Sequence, residues 1–381
     1  MADEKLVPKL RFSGFEDTWV KEKLGNLVEI KSGKSPTNLI NPNGKYPYFK
    51  VEQLNNCNKY LIKTPYFIND DSLLIKQGSL IFPKRGMAIM ANKIRLLAND
   101  SFMDTNLMTL TTKSDINNEF LFYFLTNEEL SKLADTTSVP QLNNKHINPY
   151  PIYIPTIKEQ EKIANFLSIV DKKIELLIKK HQSFLDFKKY LMQQIFAQKL
   201  RFIDEPWVSK KLGKLCKITM GQSPSSSNYT ENELDTVLIQ GNADLINGKV
   251  VPRIYTSEVT KTANPGDIIL TVRAPVGDLA INEYKSCIGR GVCSIEGNKF
   301  IYYFLQTLKD KHVWEKLSQG STFESINSND IKNLNVKIPS NKTQKLIYNF
   351  LTLVDNKIEL LEKKYQQYQK FKKGLLQQMF I

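Results

Sequence analysis

Residues 170–196 read VDKKIELLIKKHQSFLDFKKYLMQQIF, and residues 354–380 read VDNKIELLEKKYQQYQKFKKGLLQQMF. Apolar residues recur in both at alternating spacings of four and three, the heptad seam of a coiled coil. In the first copy the seam runs through Ile163, Leu167, Val170, Ile174, Leu177, His181, Phe184, Lys188, Leu191 and Ile195. The second places Ile347, Leu351, Val354, Ile358, Leu361, Tyr365, Tyr368, Lys372, Leu375 and Met379 at the same positions. His181, Lys188 and Lys372 soften the seam, while Phe187, Phe371 and Tyr368 are expected to widen the contact beyond it. A helix of this length is marginal in water unless its apolar face is covered. Two copies with defects at matching places fit each other better than they fit solvent.

The repetition extends outward from the helices. From Ile154 to Phe196 and from Ile338 to Phe380, 25 of 43 aligned positions are identical. KLRF occurs at Lys9–Phe12 and Lys199–Phe202, and WVKEKLGNLVEIKSGKSP (Trp19–Pro36) matches WVSKKLGKLCKITMGQSP (Trp207–Pro224) without a gap. GSLIFPKR (Gly78–Arg85) is answered by GDIILTVR (Gly266–Arg273), and FLFYFL (Phe120–Leu125) by FIYYFL (Phe300–Leu305). One unit is used twice. The expected division is a globular unit at 1–155, a helical region at 156–200, a second globular unit at 201–339 and a second helical region at 340–381. Pro155 and Pro339 give each helix an extended lead-in.

Within the globular units, Ser79–Phe82 and Asp267–Val272 read as β-strands opened by glycine. Gly33 and Pro36 mark a turn. Phe120–Leu125 and Phe300–Leu305 read as core-facing helices, and Trp19 and Trp207 as core anchors. Segments 37–77 and 225–265, where the units differ most, resist assignment. The fold class is α+β: two similar mixed domains joined and separated by two long helices. An antiparallel pair would place the domains at opposite ends of a pseudo-two-fold arrangement. From Ile163 to Ile195 such a rod spans about 50 Å, more than one DNA turn of about 34–36 Å.

The net charge is +14 over 381 residues. That excess attracts polyanions, with nucleic acid or an acidic protein as the expected partner. No apolar run approaches a membrane span, and the opening MADEKLVPKLRF lacks a signal-peptide core, so the cytoplasm is expected. Four cysteines without CxxC spacing and three histidines point to reduced thiols and no metal site. The catalytic candidates dissolve on inspection. Asn148, Pro149 and Tyr150 in INPYPI lack a glycine-rich cofactor loop, and SGKSP around Gly33 and Lys34 lacks the rest of a phosphate loop. Both read as turns.

For DNA contact the first candidates are Arg85 and Arg273, equivalent positions after the repeated strands, where each could grip phosphate. Lys84, Arg253, Lys285 and Arg290 follow, and an arginine reaching guanine edges would specify sequence. Asn144 and Lys145, in the polar stretch before the first helix, are further candidates. The alternative for each basic residue is a surface salt bridge. At the level of the whole chain, the alternatives are a two-lobed adaptor for protein partners and a stand-alone nuclease or methyltransferase.

Two lead-ins of the IPTIKEQEKIANFL type (Ile154, Pro155, Glu159, Gln160, Ile163, Phe166, Leu167), each entering a VDKKIELL-type helix, make the chain resemble the specificity subunit of a bacterial type I restriction–modification enzyme. The resemblance covers essentially the whole chain and lies in the duplicated order of the pieces. It implies two target-recognition domains, each reading one half of a bipartite, asymmetric double-stranded DNA sequence. It also implies an antiparallel coiled coil that sets the spacer and docks two modification subunits, which bind S-adenosylmethionine and methylate adenine. Two ATP-dependent motor–nuclease subunits would join them. The chain itself would be non-catalytic, with no cofactor and no metal. Gln160, Phe166, Gln344 and Phe350 are the candidates for touching the modification subunits. Val170, Ile174, Leu177, Phe184, Leu191, Val354, Ile358, Leu361, Tyr368 and Leu375 are the candidates for the coiled-coil contact. The second lead-in departs from the pattern, with Thr343 where the first has Glu159, which suggests weaker or different partner contacts there.

Overall fold

A computed structural model describes residues 7–34, 43–69, 74–135, 139–318 and 325–381; Pro36 of the expected turn lies outside them. The chain forms two compact units, Met1–Ile178 with Lys363–Ile381, and Lys179–Glu362. Each unit therefore holds the start of one long helix and the end of the other.

The two units share one topology. In the first, a sheet runs in the order Val28–Ser32, Leu107–Thr112, Leu80–Pro83, Arg95–Leu97 and Tyr60–Leu61, antiparallel except for its last pair. The second unit repeats it with Ile218–Met220, Val292–Ile295, Ile268–Thr271, Leu279–Ile281 and Lys249–Val250, again parallel only at the last of these pairs. A second, smaller sheet centres on Tyr46–Phe49 in one unit and Thr236–Ile239 in the other, each with one parallel neighbour. The described residues of the segments that resisted assignment hold strands of two to four residues separated by short 3-10 turns, and such strands are too short to display a period of two. Trp19, Leu24, Leu27 and Ile30 span a strand, a single helical turn and a second strand.

The glycine shared by SGKSP and MGQSP has a steric cause. A Cβ on Gly33 would stand 1.7 Å from the Asp104 carbonyl oxygen, and one on Gly221 2.1 Å from that of Gly289. Only glycine lets the first sheet strand pass the turn that enters the neighbouring strand.

FLFYFL and FIYYFL lie on helices Asn118–Glu128 and Lys299–Asp310. Asn117 and Asn298 cap them, each side-chain oxygen accepting from two backbone amides. Their aromatics are core residues. Phe120 packs 5.2 Å from Phe380 and Phe300 5.2 Å from Phe196, so each domain receives a phenylalanine at or just beyond the end of a long helix. Trp19 is buried beside Phe120, and the half-buried Trp207 lies against Phe300.

The long helices span Ile157–Phe196 and Asn341–Met379. In the first unit Ile163, Leu167, Val170 and Ile174 share a core with Leu375, Leu376 and Met379. In the second, Leu191, Met192 and Ile195 share one with Ile347, Leu351 and Val354. The start of each helix thus meets the end of the other, an antiparallel pairing seen separately in each unit. Phe187 and Phe371 are 46% and 52% exposed; Phe187 stands edge-on to the seam residue Phe184 with ring centroids 6.3 Å apart, and Phe371 faces outward. Tyr368 does join the seam.

The lysines that softened the seam are paired. In the first unit Lys372 binds Asp171 at 2.5 Å, and Asp171 accepts the Tyr123 hydroxyl at 2.7 Å. In the second, Lys188 binds Asp355 at 2.7 Å, and Asp355 accepts the Tyr303 hydroxyl at 2.6 Å. Each lysine also lies 5.3 Å from the ring of that tyrosine. Burial and the adjacent aspartate push both tyrosine hydroxyls well above their ordinary pKa, so they remain donors.

The lead-ins are built alike. Gln160 accepts from the Asn117 amide at 2.8 Å and donates to the Pro155 carbonyl at 3.0 Å. Gln344 accepts from the Asn298 side chain at 2.9 Å and donates to the Pro339 carbonyl at 3.0 Å. Glu159 is buried against Arg11, with two contacts of 2.8 Å. Where Thr343 replaces it, the carboxylate comes from outside the helix. Glu205 accepts from the Ser340 amide at 2.9 Å and is held below the usual carboxylate range by Thr343 and Ser340. KLRF has one duty in both units: the Leu10 amide donates to the Gln378 carbonyl as the Leu200 amide donates to that of Gln194.

Candidate nucleic-acid interface

In the second unit a polar cleft of about 510 Å3 opens between the turn after Thr236–Ile239, the turn before Val292–Ile295 and the end of strand Ile268–Thr271. Its lining includes Ser223, Tyr229, Gln240, Asn242, Arg273 and Arg290. Asp244 holds the turn at 240–242 by accepting from the Gln240 and Gly241 amides at 2.8 and 3.2 Å. The Arg290 amide donates to Ser223 Oγ at 3.1 Å, and the Gly289 amide to the Ile239 carbonyl at 2.8 Å. Both arginines are exposed, and neither guanidinium has an ion pair or hydrogen bond among the described residues. Two unpaired guanidiniums facing one polar cleft form an anion-attracting site with donors arranged in planar forks.

The β-ladders identify the corresponding place in the first unit. Thr271 pairs with Val292 as Pro83 pairs with Leu107, and Ile239 with Ile288 as Phe49 with Met103. Arg273 therefore matches Arg85, Arg290 matches Thr105, Gln240 matches Lys50 and Asn242 matches Glu52. Arg85 bridges to Gln141 and Arg273 to Ser325 in the same way. The exposed Asn144 and Lys145, on the single turn Asn144–Ile147, follow shortly after Gln141, the bridge partner of Arg85. Lys84 is half-buried, and burial together with Arg85 lowers its pKa. Lys50 lies over Tyr66 at 3.8 Å, and Glu52 accepts from Gln53 at 2.9 Å. The equivalent site is thus of mixed charge and partly self-satisfied.

The structure gathers Arg273 and Arg290 in one cleft and leaves Arg253 and Lys285 out of its lining. Arg253 is exposed and stands 3.8 Å from Asp244; Lys285 is exposed on a turn. Gln160 and Gln344 are buried with their amides engaged inside the chain, while Phe166 and Phe350 are half-buried against Phe12 and Phe202.

A second apolar row escaped the sequence reading. Ile169 and Leu176, and their repeats Leu353 and Leu360, are 68%, 56%, 67% and 47% exposed. The seven-residue spacing and the recurrence in both copies were the available signal, hidden by the stronger seam beside it.

INPYPI is a turn into strand Pro151–Ile154, with the Tyr150 hydroxyl donating to Glu128 at 2.7 Å. Among the described residues no group of three or more His, Cys, Asp or Glu could hold a metal ion, and the four cysteines are free thiols. No described helix is long and apolar enough to cross a membrane.

The model of the type I restriction modification DNA specificity domain matches this chain twice, over residues 16–183 and 204–369. The chain is 33% identical over 264 residues to a Methanocaldococcus jannaschii protein assigned as the MjaX specificity subunit of a type I restriction enzyme. That alignment spans 64% of this chain and 61% of the relative. The MjaVIII specificity subunit of the same organism is 23% identical over 94% of this chain and 91% of its own. The crystal structure of a type I restriction–modification S subunit from M. genitalium superposes with a TM-score of 0.64 at 19% identity, covering 98% of this chain and 99% of the other. At that identity the likeness is one of fold.

Proposed function

The chain belongs to the type I restriction–modification DNA specificity family, and from that membership we propose that it is the DNA-recognition subunit of such a system, reading a bipartite asymmetric target. Residues 1–155 and 201–339 each recognise one half-site. Helical regions 156–200 and 340–381 pair antiparallel and fix the number of unread bases between the halves. Two modification subunits dock on the helices and methylate adenine. Two motor–nuclease subunits complete an ATP-dependent restriction assembly in the cytoplasm. The chain itself binds and positions and performs no bond chemistry.

The observation that carries this reading is the pairing of one topology with unlike rims. Both units present an arginine at the same register position, Arg85 and Arg273, suited to the phosphate backbone that every duplex shares. Around it the side chains differ, as two readers of different sequences require. The exposed rows at Ile169 and Leu176 and at Leu353 and Leu360 offer each helix an apolar face for a modification subunit. Phe166 and Phe350 lie near the start of the helices and extend that face.

The test is fluorescence anisotropy of this chain in complex with its modification subunits, against duplexes carrying its methylated motif and against scrambled duplexes at moderate salt. A motif of two separated half-sites bound at least about 1,000-fold more tightly than scrambled sequence is expected. Equal affinity for all duplexes would favour the adaptor reading instead.

A further inference from the structure

We propose that Arg290 reads a guanine in the half-site of the second unit, while Arg273 beside it holds phosphate whatever the sequence. The inference rests on the reading of the chain as a DNA-recognition subunit and assigns separate duties to two residues of one cleft.

The separation follows from comparing the units with each other. Arg273 has Arg85 at its own register position, and both are held by the same type of backbone bridge. A residue that two unlike readers share serves what their targets share, which is the backbone. Arg290 has Thr105 at its position and serves what differs.

Presentation supports the assignment. Arg290 sits between Gly289 and Gly291 on a turn tied to Ser223 and Ile239. A Cβ on Gly291 would stand 2.1 Å from the Gln240 carbonyl oxygen, so the turn lies directly on its neighbour. The side chain therefore projects from a fixed base. Asp244, which holds the Gln240 turn, binds two backbone amides through one carboxylate oxygen and faces Arg253 with the other, and it leaves the Arg290 fork unclaimed. A planar fork of donors matches O6 and N7 of guanine in the major groove, and lysine would supply charge without the fork.

The test uses the complex with its modification subunits, carrying wild-type chain, Arg290→Ala, Arg290→Lys or Arg273→Ala. Methylated adenines are mapped on a randomised duplex library, and affinities are measured for the motif and its single-base variants. With Arg290→Ala and Arg290→Lys, discrimination at one guanine of one half-site is expected to fall about tenfold or more. The other half-site should be unchanged, and Arg290→Lys should keep near wild-type affinity for scrambled duplexes. Arg273→Ala should weaken all duplexes alike and reduce the salt dependence by about one ion. Unchanged discrimination in both Arg290 variants, relaxation at a base other than guanine, or relaxation in both half-sites overturns the proposal. If the wild-type complex shows no motif at all, the DNA-recognition reading fails, which is a different result.

Discussion

Lys188 occupies a seam position where leucine would bury more surface, and it is held there by Asp355 and the Tyr303 ring. Removing one partner strands the other in a partly buried site. Lys188→Met or Asp355→Leu alone should each cost about 1–3 kcal/mol in urea unfolding. The double variant should cost less than the sum, with a coupling of about 0.5–3 kcal/mol; strict additivity would show that the pair contributes nothing jointly. An apolar pair would pack as well in the wrong register, whereas the lysine–aspartate contact is satisfied in one register only, which makes it a device for alignment. The periodicity marked Lys188 and Lys372 as defects because it weighs each position by polarity alone. Their partners lie in the other copy of the repeat, and nothing linear joins position 188 to 355.

The long helices were legible as elements because a seam sustained over some forty residues has no competing explanation. The short strands were not, since Tyr60–Leu61 or Lys249–Val250 acquires its state from neighbours distant in sequence. The second apolar row belongs to this scale too. Replacing Ile169, Leu176, Leu353 and Leu360 together by serine removes exposed rather than core surface. Far-UV circular dichroism should therefore stay native, while affinity for the modification subunits falls about tenfold or more. Unaltered assembly measured by light scattering would show that docking uses another face. The glycine that opens each sheet gives the opposite case: Gly221→Ala meets a carbonyl oxygen and should lower the unfolding midpoint by several degrees. A wild-type melting curve would mean that the turn yields.

For the whole molecule, duplication was the most readable feature. Matching landmarks fixed the number of units, and the divergence between them pointed to recognition of unlike sequences. The cleft was legible only in part. Arg273 emerged from comparing repeats, whereas the convergence of Arg290, Gln240 and Asn242 depends on two turns brought together by the sheets. The central claim is that the helix pair measures the unread gap. Removing one heptad from the middle of each helix shortens the pair by about 10 Å, or about three base pairs of DNA. Methylated-adenine mapping of the shortened complex should return both half-sites unchanged and separated by about three fewer base pairs; the original gap, retained with full activity, would contradict the account.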